Sequence, residues 1–313
     1  MITAGVDVGG TNIEVGLVDE KNNVIARAKR NTPTEGPDAV VAMIVELVAS
    51  LDESPVAVGV GIPGVVHDGE VLTVPNLSNW TDQLDLGKIL ESGLGVPVAL
   101  GNDVNVGLLG EWTAGVAQDV DNVLAVWMGT GIGGALVLDG RPFNGSRGAA
   151  GEIGHVVVKS GGALCGCSRR GCVEAYAGRR SMAAAAAAMV DAGRTTSLFD
   201  IRDDEGKEKL TSKVWARALE EEDELAIQLF DMAIEMLGLG VASVVNVLDV
   251  ELVVIGGGIA EKLGQDLADR IGLAAAPWML HPNPELRWVS SSLGDDAGVV
   301  GAAALARASV VVS

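Results

Sequence analysis

Three cysteines and a histidine form the clearest metal-binding pattern in the sequence. Cys165, Cys167 and Cys172 are the only cysteines of the chain, and His155 lies a short distance before them. Thiolate and imidazole groups are the ligands that Zn²⁺ takes in tetrahedral sites, and four protein ligands leave no position for an activated water. The spacing therefore predicts a structural zinc site. The alternative is three unrelated buried thiols, but free cysteines seldom cluster in a polar loop that contains arginines.

Three glycine-rich segments each follow a predicted strand and have the composition of phosphate-binding turns. They are 7–12 (DVGGTN), 129–134 (GTGIGG) and 256–259 (GGGI). Glycine permits tight turns in which backbone N–H groups surround an anion. Residues 129–134 also satisfy the dinucleotide-binding motif G-x-G-x-x-G, but a strand is predicted after them where that motif requires a helix. The pattern favours glycine turns that face a nucleotide.

Four strings occur together in an order that resembles the ROK sugar kinases, and within them the ATP-dependent bacterial glucokinases. The strings are 5–11 (GVDVGGT), 101–103 (GND), 129–134 (GTGIGG) and 151–155 (GEIGH). The cysteine loop resembles the ROK signature G-C-x-C-G-x-x-G-C-x-E, with Ser168 where the signature has its second glycine and Leu164 in place of the first. Asn12 stands where lysine is common in the family. The resemblance extends from Gly5 to the predicted helix at 297–306 and so covers nearly the whole chain.

The resemblance implies an α/β protein of the sugar kinase, heat-shock protein and actin superfamily. This fold has two ribonuclease-H-like domains with an interdomain cleft that closes on the sugar. We expect a small domain formed by residues 1–111 plus 297–313. A large domain, 112–296, would carry the zinc loop and the dimerisation helices. The resemblance also implies a homodimer or homotetramer.

The reaction implied by the resemblance is the ATP- and Mg²⁺-dependent phosphorylation of a hexose, expected to be glucose. A sugar hydroxyl is a weak nucleophile at neutral pH, and phosphoryl transfer benefits from a carboxylate that takes its proton. Asp103 of the Gly-Asn-Asp string is the predicted base. From its position alone, Asp103 is more often the cap of the helix that follows it than a base, whereas the family pattern favours the catalytic role.

The remaining site residues are also implied by the resemblance. The predicted sugar ligands are Gly64, Asn76, Asn102, Asp103, Glu152, His155 and Glu174. The predicted ligands of ATP and Mg²⁺ are Asp7, Gly9, Gly10, Thr11, Asn12, Thr130, Gly131, Gly256, Gly257 and Gly258. Among these, Asp7 would orient the metal ion, Thr11 and Thr130 would face the β- and γ-phosphates, and the turn at Gly256 would lie against adenosine. One ring nitrogen of His155 would bind zinc while the other faces the sugar.

Two alternative functions fit the same motifs. The first is a kinase of another hexose, such as mannose, N-acetylmannosamine, N-acetylglucosamine or fructose. The second is a noncatalytic sugar-sensing ROK protein or a ROK repressor. The repressors carry a helix-turn-helix ahead of the kinase-like part, whereas the first phosphate strand here is predicted to begin at Ile2. Because Asp103 is the predicted base, its presence favours an enzyme over a noncatalytic sugar sensor or a repressor.

Composition and charge indicate which partners the protein can bind and in which cellular compartment we expect it. The chain has 313 residues, with 22 Lys and Arg against 42 Asp and Glu, and a net charge of −20. Such a surface repels nucleic acid and anionic lipid, so we expect neither as a partner. The sequence shows no signal peptide and no run of about 18 apolar residues. Together with the few cysteines, this predicts a cytoplasmic protein.

Regular elements are predicted from apolar periodicity, and they position the motifs. Strands are expected at 2–7, 12–19, 24–30, 56–62, 96–101, 123–128, 135–139 and 250–255. Helices are expected at 38–51 with Asp38 as N-cap, 83–95, 103–114, 182–190 after Ser181, 214–219, a long segment ending at 248, and 297–306. The acidic tract 220–224 is expected to be a solvated connection. The arrangement of strand, glycine turn and strand occurs at 2–19 and again at 123–139, which suggests two related halves.

Overall fold

A computed structural model of the chain describes residues 1–74, 77, 79–80, 83–281 and 283–311. These residues form strands β1 (Thr3–Val8), β2 (Asn12–Val18), β3 (Val24–Asn31), β4 (Val58–Ile62), β5 (Val65–His67), β6 (Glu70–Thr73), β7 (Val98–Asn102), β8 (Val123–Met128), β9 (Ile132–Leu138), β10 (Arg141–Pro142), β11 (Leu252–Gly256) and β12 (Arg287–Ser290). The helices are α1 (Pro37–Ala49), α2 (Leu86–Leu94), α3 (Asp103–Ala114), α4 (Glu174–Ala177), α5 (Arg179–Asp191), α6 (Leu198–Asp204), α7 (Ser212–Glu220), α8 (Glu224–Leu248), α9 (Ala260–Leu263), α10 (Gln265–Ala275) and α11 (Asp296–Val311).

The chain divides into two compact units. The first contains Met1–Val120, Ala135–Ala150 and Asp295–Ser313, and the second contains Asp121–Gly134 and Gly151–Gly294. The folding domains expected at 1–111 plus 297–313 and at 112–296 stay a prediction.

The first unit is built on a five-stranded sheet in the order β3-β2-β1-β4-β7. β1, β2 and β3 are antiparallel neighbours, whereas β4 and β7 run parallel to β1. In this register Asp7 pairs with Gly61, and Gly61 pairs with Gly101. The C-terminal ends of three parallel strands therefore bring Asp7 and the Gly-Asn-Asp string to the same edge of the sheet.

Helix α11 packs against this sheet and against α3 at glycines. A Cβ atom added at Gly5 would lie 1.8 Å from the carbonyl oxygen of Val299, and one at Gly59 would lie 1.7 Å from that of Ala302. On α11 itself, a Cβ at Gly301 would lie 1.8 Å from the carbonyl oxygen of Val106. Glycine is otherwise unfavourable inside strands and helices. These positions accept it because two backbones approach closely.

The second unit holds the parallel strands β8, β11 and β12, and the full sheet has the order β10-β9-β8-β11-β12. Helix α8 is the longest helix described, and it buries a stripe that includes Leu229, Phe230 and Leu237. In the described part of the chain it is also the one helix whose length and apolar composition would suffice to cross a membrane. Most of its apolar surface is buried inside the protein, as in a core helix.

Several local predictions are wrong at helix starts. The N-cap of α1 is Gly36, not Asp38, and Pro37 is its first residue, where proline is favoured. Ser181 lies inside α5, which begins at Arg179. The tract 220–224 is not simply a solvated connection, because Asp223 caps α8 and accepts a 2.6 Å hydrogen bond from the Ser197 amide.

Candidate active site and metal centre

Two carboxylates lie at the edge of the first sheet. Asp7 is near the end of β1, and Asp103 is the first residue of α3, directly after β7. Burial raises the pKa of Asp7 to about 7, and the nearby charges of Asp103, Glu14 and Asp295 add to this effect. A carboxylate whose pKa is raised by burial and by neighbouring carboxylates is suited to hold a cation or to take up a proton.

Asn102 fixes the position of Asp103. Its side-chain oxygen accepts hydrogen bonds from the amides of Val104 at 3.0 Å and Asn105 at 3.1 Å, so Asn102 is the N-cap of α3. Its amide nitrogen donates to the Gly64 carbonyl at 2.9 Å and to Asp103 Oδ1 at 3.0 Å. The N-cap is therefore Asn102 and not Asp103, although Asp103 Oδ1 also accepts a hydrogen bond from the Val104 amide at 3.0 Å. The structure brings three predicted sugar ligands together, while the fourth on this side, Asn76, lies outside the described residues.

The turn between β1 and β2 is held by backbone and side-chain bonds. The Gly9 amide donates to the Asn12 carbonyl at 2.9 Å, and the Thr32 hydroxyl donates to the Gly9 carbonyl at 2.6 Å. The Thr32 amide also donates to the carbonyl of Thr11 at 2.9 Å. Gly10 and Thr11 are exposed at the tip of this turn. The turn is thus fixed at its base and open at its tip, as an anion-binding loop requires.

The corresponding turn in the second unit, between β8 and β9, is closed by Gly129, whose amide donates to the Gly131 carbonyl at 3.0 Å. Glu174 lies directly against it, because Glu174 Oε2 accepts a hydrogen bond from the Ile132 amide at 3.0 Å. A Cβ atom at Gly131 would come within 2.2 Å of that same oxygen. Glycine at 131 therefore makes room for the carboxylate.

The glycine turn after β11 approaches the first turn of α7. A Cβ atom at Gly258 would lie 2.9 Å from Ser212 Oγ, and Gly257 has a φ of +88°. A side chain at Gly257 would also meet the Met128 carbonyl oxygen at 2.6 Å. Glycine at 257 is therefore required by local geometry, independently of any ligand, whereas Gly258 contacts only the end of a side chain.

The predicted metal ligands converge. The ligand atoms of His155, Cys165, Cys167 and Cys172 all lie within 4.8 Å of one another. Cys167 Sγ is 3.7 Å from Cys172 Sγ, and Cys165 Sγ is 3.8 Å from His155 Nδ1. Sulfurs bound at about 2.3 Å to a tetrahedral zinc ion are about 3.8 Å apart. The four side chains thus have the spacing of a tetrahedral metal site.

Burial and charge act differently on the pKa values of the three thiols. Burial raises the pKa of Cys165 to about 12 and raises that of Cys172. A hydrogen bond from Arg169 lowers the pKa of Cys167 to about 6. A divalent cation stabilises coordinating thiolates and so offsets the burial of Cys165 and Cys172.

Glu174 lies between this cluster and the glycine turn. Its Oε1 is 3.7 Å from Cys165 Sγ, while Oε2 accepts the Ile132 N–H described above. Glu152 directly precedes the short 3₁₀ helix Ile153–His155, which carries the histidine of the cluster. The sugar-binding roles of Glu152, His155 and Glu174 stay predictions.

Arg179 is a residue that the sequence analysis missed. Its guanidinium donates to Thr130 Oγ1 at 3.2 Å and to Ser212 Oγ at 2.8 Å. It therefore connects the turn that follows β8 with the serine beside Gly258. The sequence around Arg179 shows only a basic residue ahead of an alanine-rich helix, so no pattern pointed to it.

Two α/β halves, each with a strand, a glycine turn and a second strand, define the actin-like fold of sugar kinases. The chain belongs to the ROK family, whose profile matches residues 3–309. It is 32% identical to a glucokinase of Streptomyces coelicolor over 98% of both chains. It is 30% identical to an N-acetylmannosamine kinase of Citrobacter koseri, covering 98% of this chain and 99% of that one.

A solved relative shows the same fold. The crystal structure of a ROK family glucokinase from Streptomyces griseus, in complex with glucose and AMPPNP, matches with a TM-score of 0.86 and 32% identity. The match covers 98% of this chain and 100% of that one.

Proposed function

We propose that the protein is an ATP-dependent hexose kinase that converts glucose into glucose 6-phosphate. The observation that carries the proposal is the arrangement at the sheet edge, where Asn102 holds Asp103 beside Asp7 and Gly64. Family membership and the glucokinases among the relatives support the same reaction.

In this proposal Asp103 accepts the proton of the primary sugar hydroxyl as that oxygen attacks the γ-phosphorus of ATP. The bond from the γ-phosphorus to the β,γ-bridging oxygen breaks, and ADP is the leaving group. Asn102 keeps the carboxylate in place through its bond to Asp103 Oδ1. Asp7 would hold Mg²⁺, which neutralises developing phosphate charge when bound. Thr11 and Thr130, on the two glycine turns, would face the phosphates.

We further propose that the Cys₃His cluster binds a structural Zn²⁺. All four positions are taken by protein ligands, so the ion would order the loop and not activate water. Since Nδ1 of His155 faces the cluster, its Nε2 is the atom left to contact the sugar.

A second candidate is a kinase of another hexose, favoured by the N-acetylmannosamine kinase relative. A coupled assay with ATP and Mg²⁺ across glucose, mannose, fructose, N-acetylglucosamine and N-acetylmannosamine tests both. We expect the highest kcat/KM with glucose. A preference of tenfold or more for another sugar would replace glucose, and turnover of none would favour the noncatalytic sugar sensor.

We propose that the enzyme is cytoplasmic and forms a homodimer or homotetramer. Large apolar side chains are exposed on and beside the helices of the second unit: Val247 is 79%, Leu273 74% and Leu280 76% exposed. Light scattering of the purified protein tests this proposal, and a monomer at micromolar concentration would contradict it.

A further inference from the structure

Arg179 is a partly buried cation without a charged partner among the described residues. Its two side-chain hydrogen bonds go to the neutral hydroxyls of Thr130 and Ser212. Burial alone lowers its pKa, with no carboxylate acting in the opposite direction. Arg217 and Arg270 of the same unit differ, because Arg217 pairs with Glu221 and Arg270 with Asp231.

Placing an unpaired charge inside a protein is unfavourable unless something compensates it. A guanidinium has several N–H donors in one plane, and two hydroxyl partners leave some of them unused. The remaining donors match the oxygens of a phosphate, which guanidinium binds in a bidentate manner. The missing partner is therefore best supplied by an anionic ligand.

The surroundings of Arg179 indicate which anion. Its guanidinium contacts Thr130, which lies on the glycine turn after β8. It also contacts Ser212 of α7, which lies beside Gly258 of the glycine turn after β11. Its own amide donates to the Gly129 carbonyl at 3.3 Å. Both turns belong to the second unit, and both are glycine-rich turns that follow neighbouring strands of one sheet, β8 and β11.

We propose that Arg179 binds the phosphate chain of the nucleotide, with Thr130 and Ser212 orienting its guanidinium. This inference rests on the proposed kinase function. It adds to that function a phosphate-binding residue, Arg179, which lies outside the family-derived motifs. The competing explanation is that Arg179 only braces the two turns.

The test compares Arg179→Met with Arg180→Met in the full-length protein. Arg180 is the adjacent, exposed arginine, so its substitution controls for the loss of one positive charge at the same place. Calorimetry measures the Kd of ADP and of adenosine for each protein, and thermal unfolding confirms that each is folded.

We expect Arg179→Met to weaken ADP binding about 10- to 100-fold, the value of one lost charge-assisted contact. Adenosine binding should stay within about twofold, and Arg180→Met should resemble the wild type. Arg179→Lys should recover part of the ADP affinity.

Three outcomes would overturn the proposal, and they have different meanings. Unchanged ADP affinity in Arg179→Met would show that Arg179 does not contact the phosphates. Equal weakening of ADP and adenosine would show that Arg179 only braces the turns. Wild-type protein that binds no ADP would reject the kinase function and this inference together.

Discussion

Asp103 is the residue on which the proposed chemistry depends most directly. Replacement by Asn keeps the shape of the side chain but removes its ability to take a proton. We expect Asp103→Asn to lower kcat by roughly 10²- to 10⁴-fold, with the Kd of the sugar nearly unchanged. Steady-state kinetics and sugar titration measure the two quantities separately. Turnover close to that of the wild type would rule out Asp103 as the base.

Asp7 illustrates the cost of a functional carboxylate. Its pKa in the folded protein is about 7, against an ordinary value of 3.8. Between these values the folded state holds a proton that the unfolded chain has lost, so Asp7 makes stability fall as pH rises. The loss of folding stability that ionised Asp7 causes is complete above about pH 7 and absent below about pH 4.

We therefore expect Asp7→Asn to increase the free energy of unfolding at pH 8 by roughly 1–3 kcal/mol, allowing for solvent screening of a partly exposed group. At pH 5 most of the gain should be lost. Urea unfolding of both proteins at the two pH values, without added divalent ions, measures the difference. A gain of the same size at both pH values would show that packing, not charge, is responsible.

Ser168 is one of the positions where the cysteine loop departs from the family signature. Its φ is +68°, a left-handed conformation that costs a residue with a Cβ atom about 1–2 kcal/mol. Ser168→Gly removes this cost, while the added freedom of the unfolded chain offsets part of the gain. We expect a stability increase of up to about 1 kcal/mol, measured by urea unfolding of the metal-loaded protein. A loss of stability would mean that the serine side chain has a contact worth more than the strain.

At the scale of elements, the cysteine loop 165–172 and the glycine turn 129–134 meet at Glu174. They differ in what else supports them. The turn keeps the Gly129–Gly131 bond and a 3.1 Å bond from the Arg180 amide to the Thr130 carbonyl. The loop carrying Glu152 and His155 is held by the bond from the Val173 amide to the Val156 carbonyl at 3.0 Å, and the proposed zinc ion would fix His155 itself. Metal removal should therefore affect the sugar more than the nucleotide.

Elemental analysis should find about one zinc per chain. We expect the metal-free protein, and the Cys165→Ala variant, to have a raised KM for sugar, a much smaller change in KM for ATP, and lower thermal stability, because metal binding contributes folding energy. Restored sugar affinity on adding back zinc is the control for irreversible damage. Unchanged sugar affinity without metal would separate the cluster from the sugar site.

Apolar periodicity was sufficient to predict the central elements and not their ends. The helix at 103–114 and the strand at 123–128 were predicted to the residue, because each is a strongly apolar segment between clear boundaries. The start of α1 was wrong because Asp38 is a good cap by type, while the Gly-Pro pair before it decides where the helix begins. Short elements such as α4 and α9 have four residues each, too few to show an apolar periodicity in the sequence.

The candidate site shows the same limit. Cys165, Cys167 and Cys172 were predictable from spacing, and Asp103 from the family string. Arg179 was not, because its role depends on the three-dimensional finding that no described carboxylate pairs with it. Sequence patterns report groups that recur at fixed spacing, and a missing partner leaves no such pattern.

For the whole molecule, the first unit is assembled from both ends of the chain. Helix α11 contributes residues 296–311 to a unit whose sheet begins at Thr3. The contact is made at glycines, and Gly59 is the tightest of them, since an added Cβ would lie 1.7 Å from the Ala302 carbonyl oxygen. Backbone atoms cannot move aside as a side-chain end can.

We therefore expect Gly59→Ala to push α11 away from β4 and to destabilise the first unit by at least about 3 kcal/mol, at the upper end of overpacking costs. Ala308→Ser, on the exposed side of the same helix, should leave stability unchanged. Hydrogen exchange resolves the effect by region. Protection should fall in β1, β4 and α11 while α8 and β11 of the second unit keep theirs, and a uniform loss across both units would show that they unfold as one cooperative body.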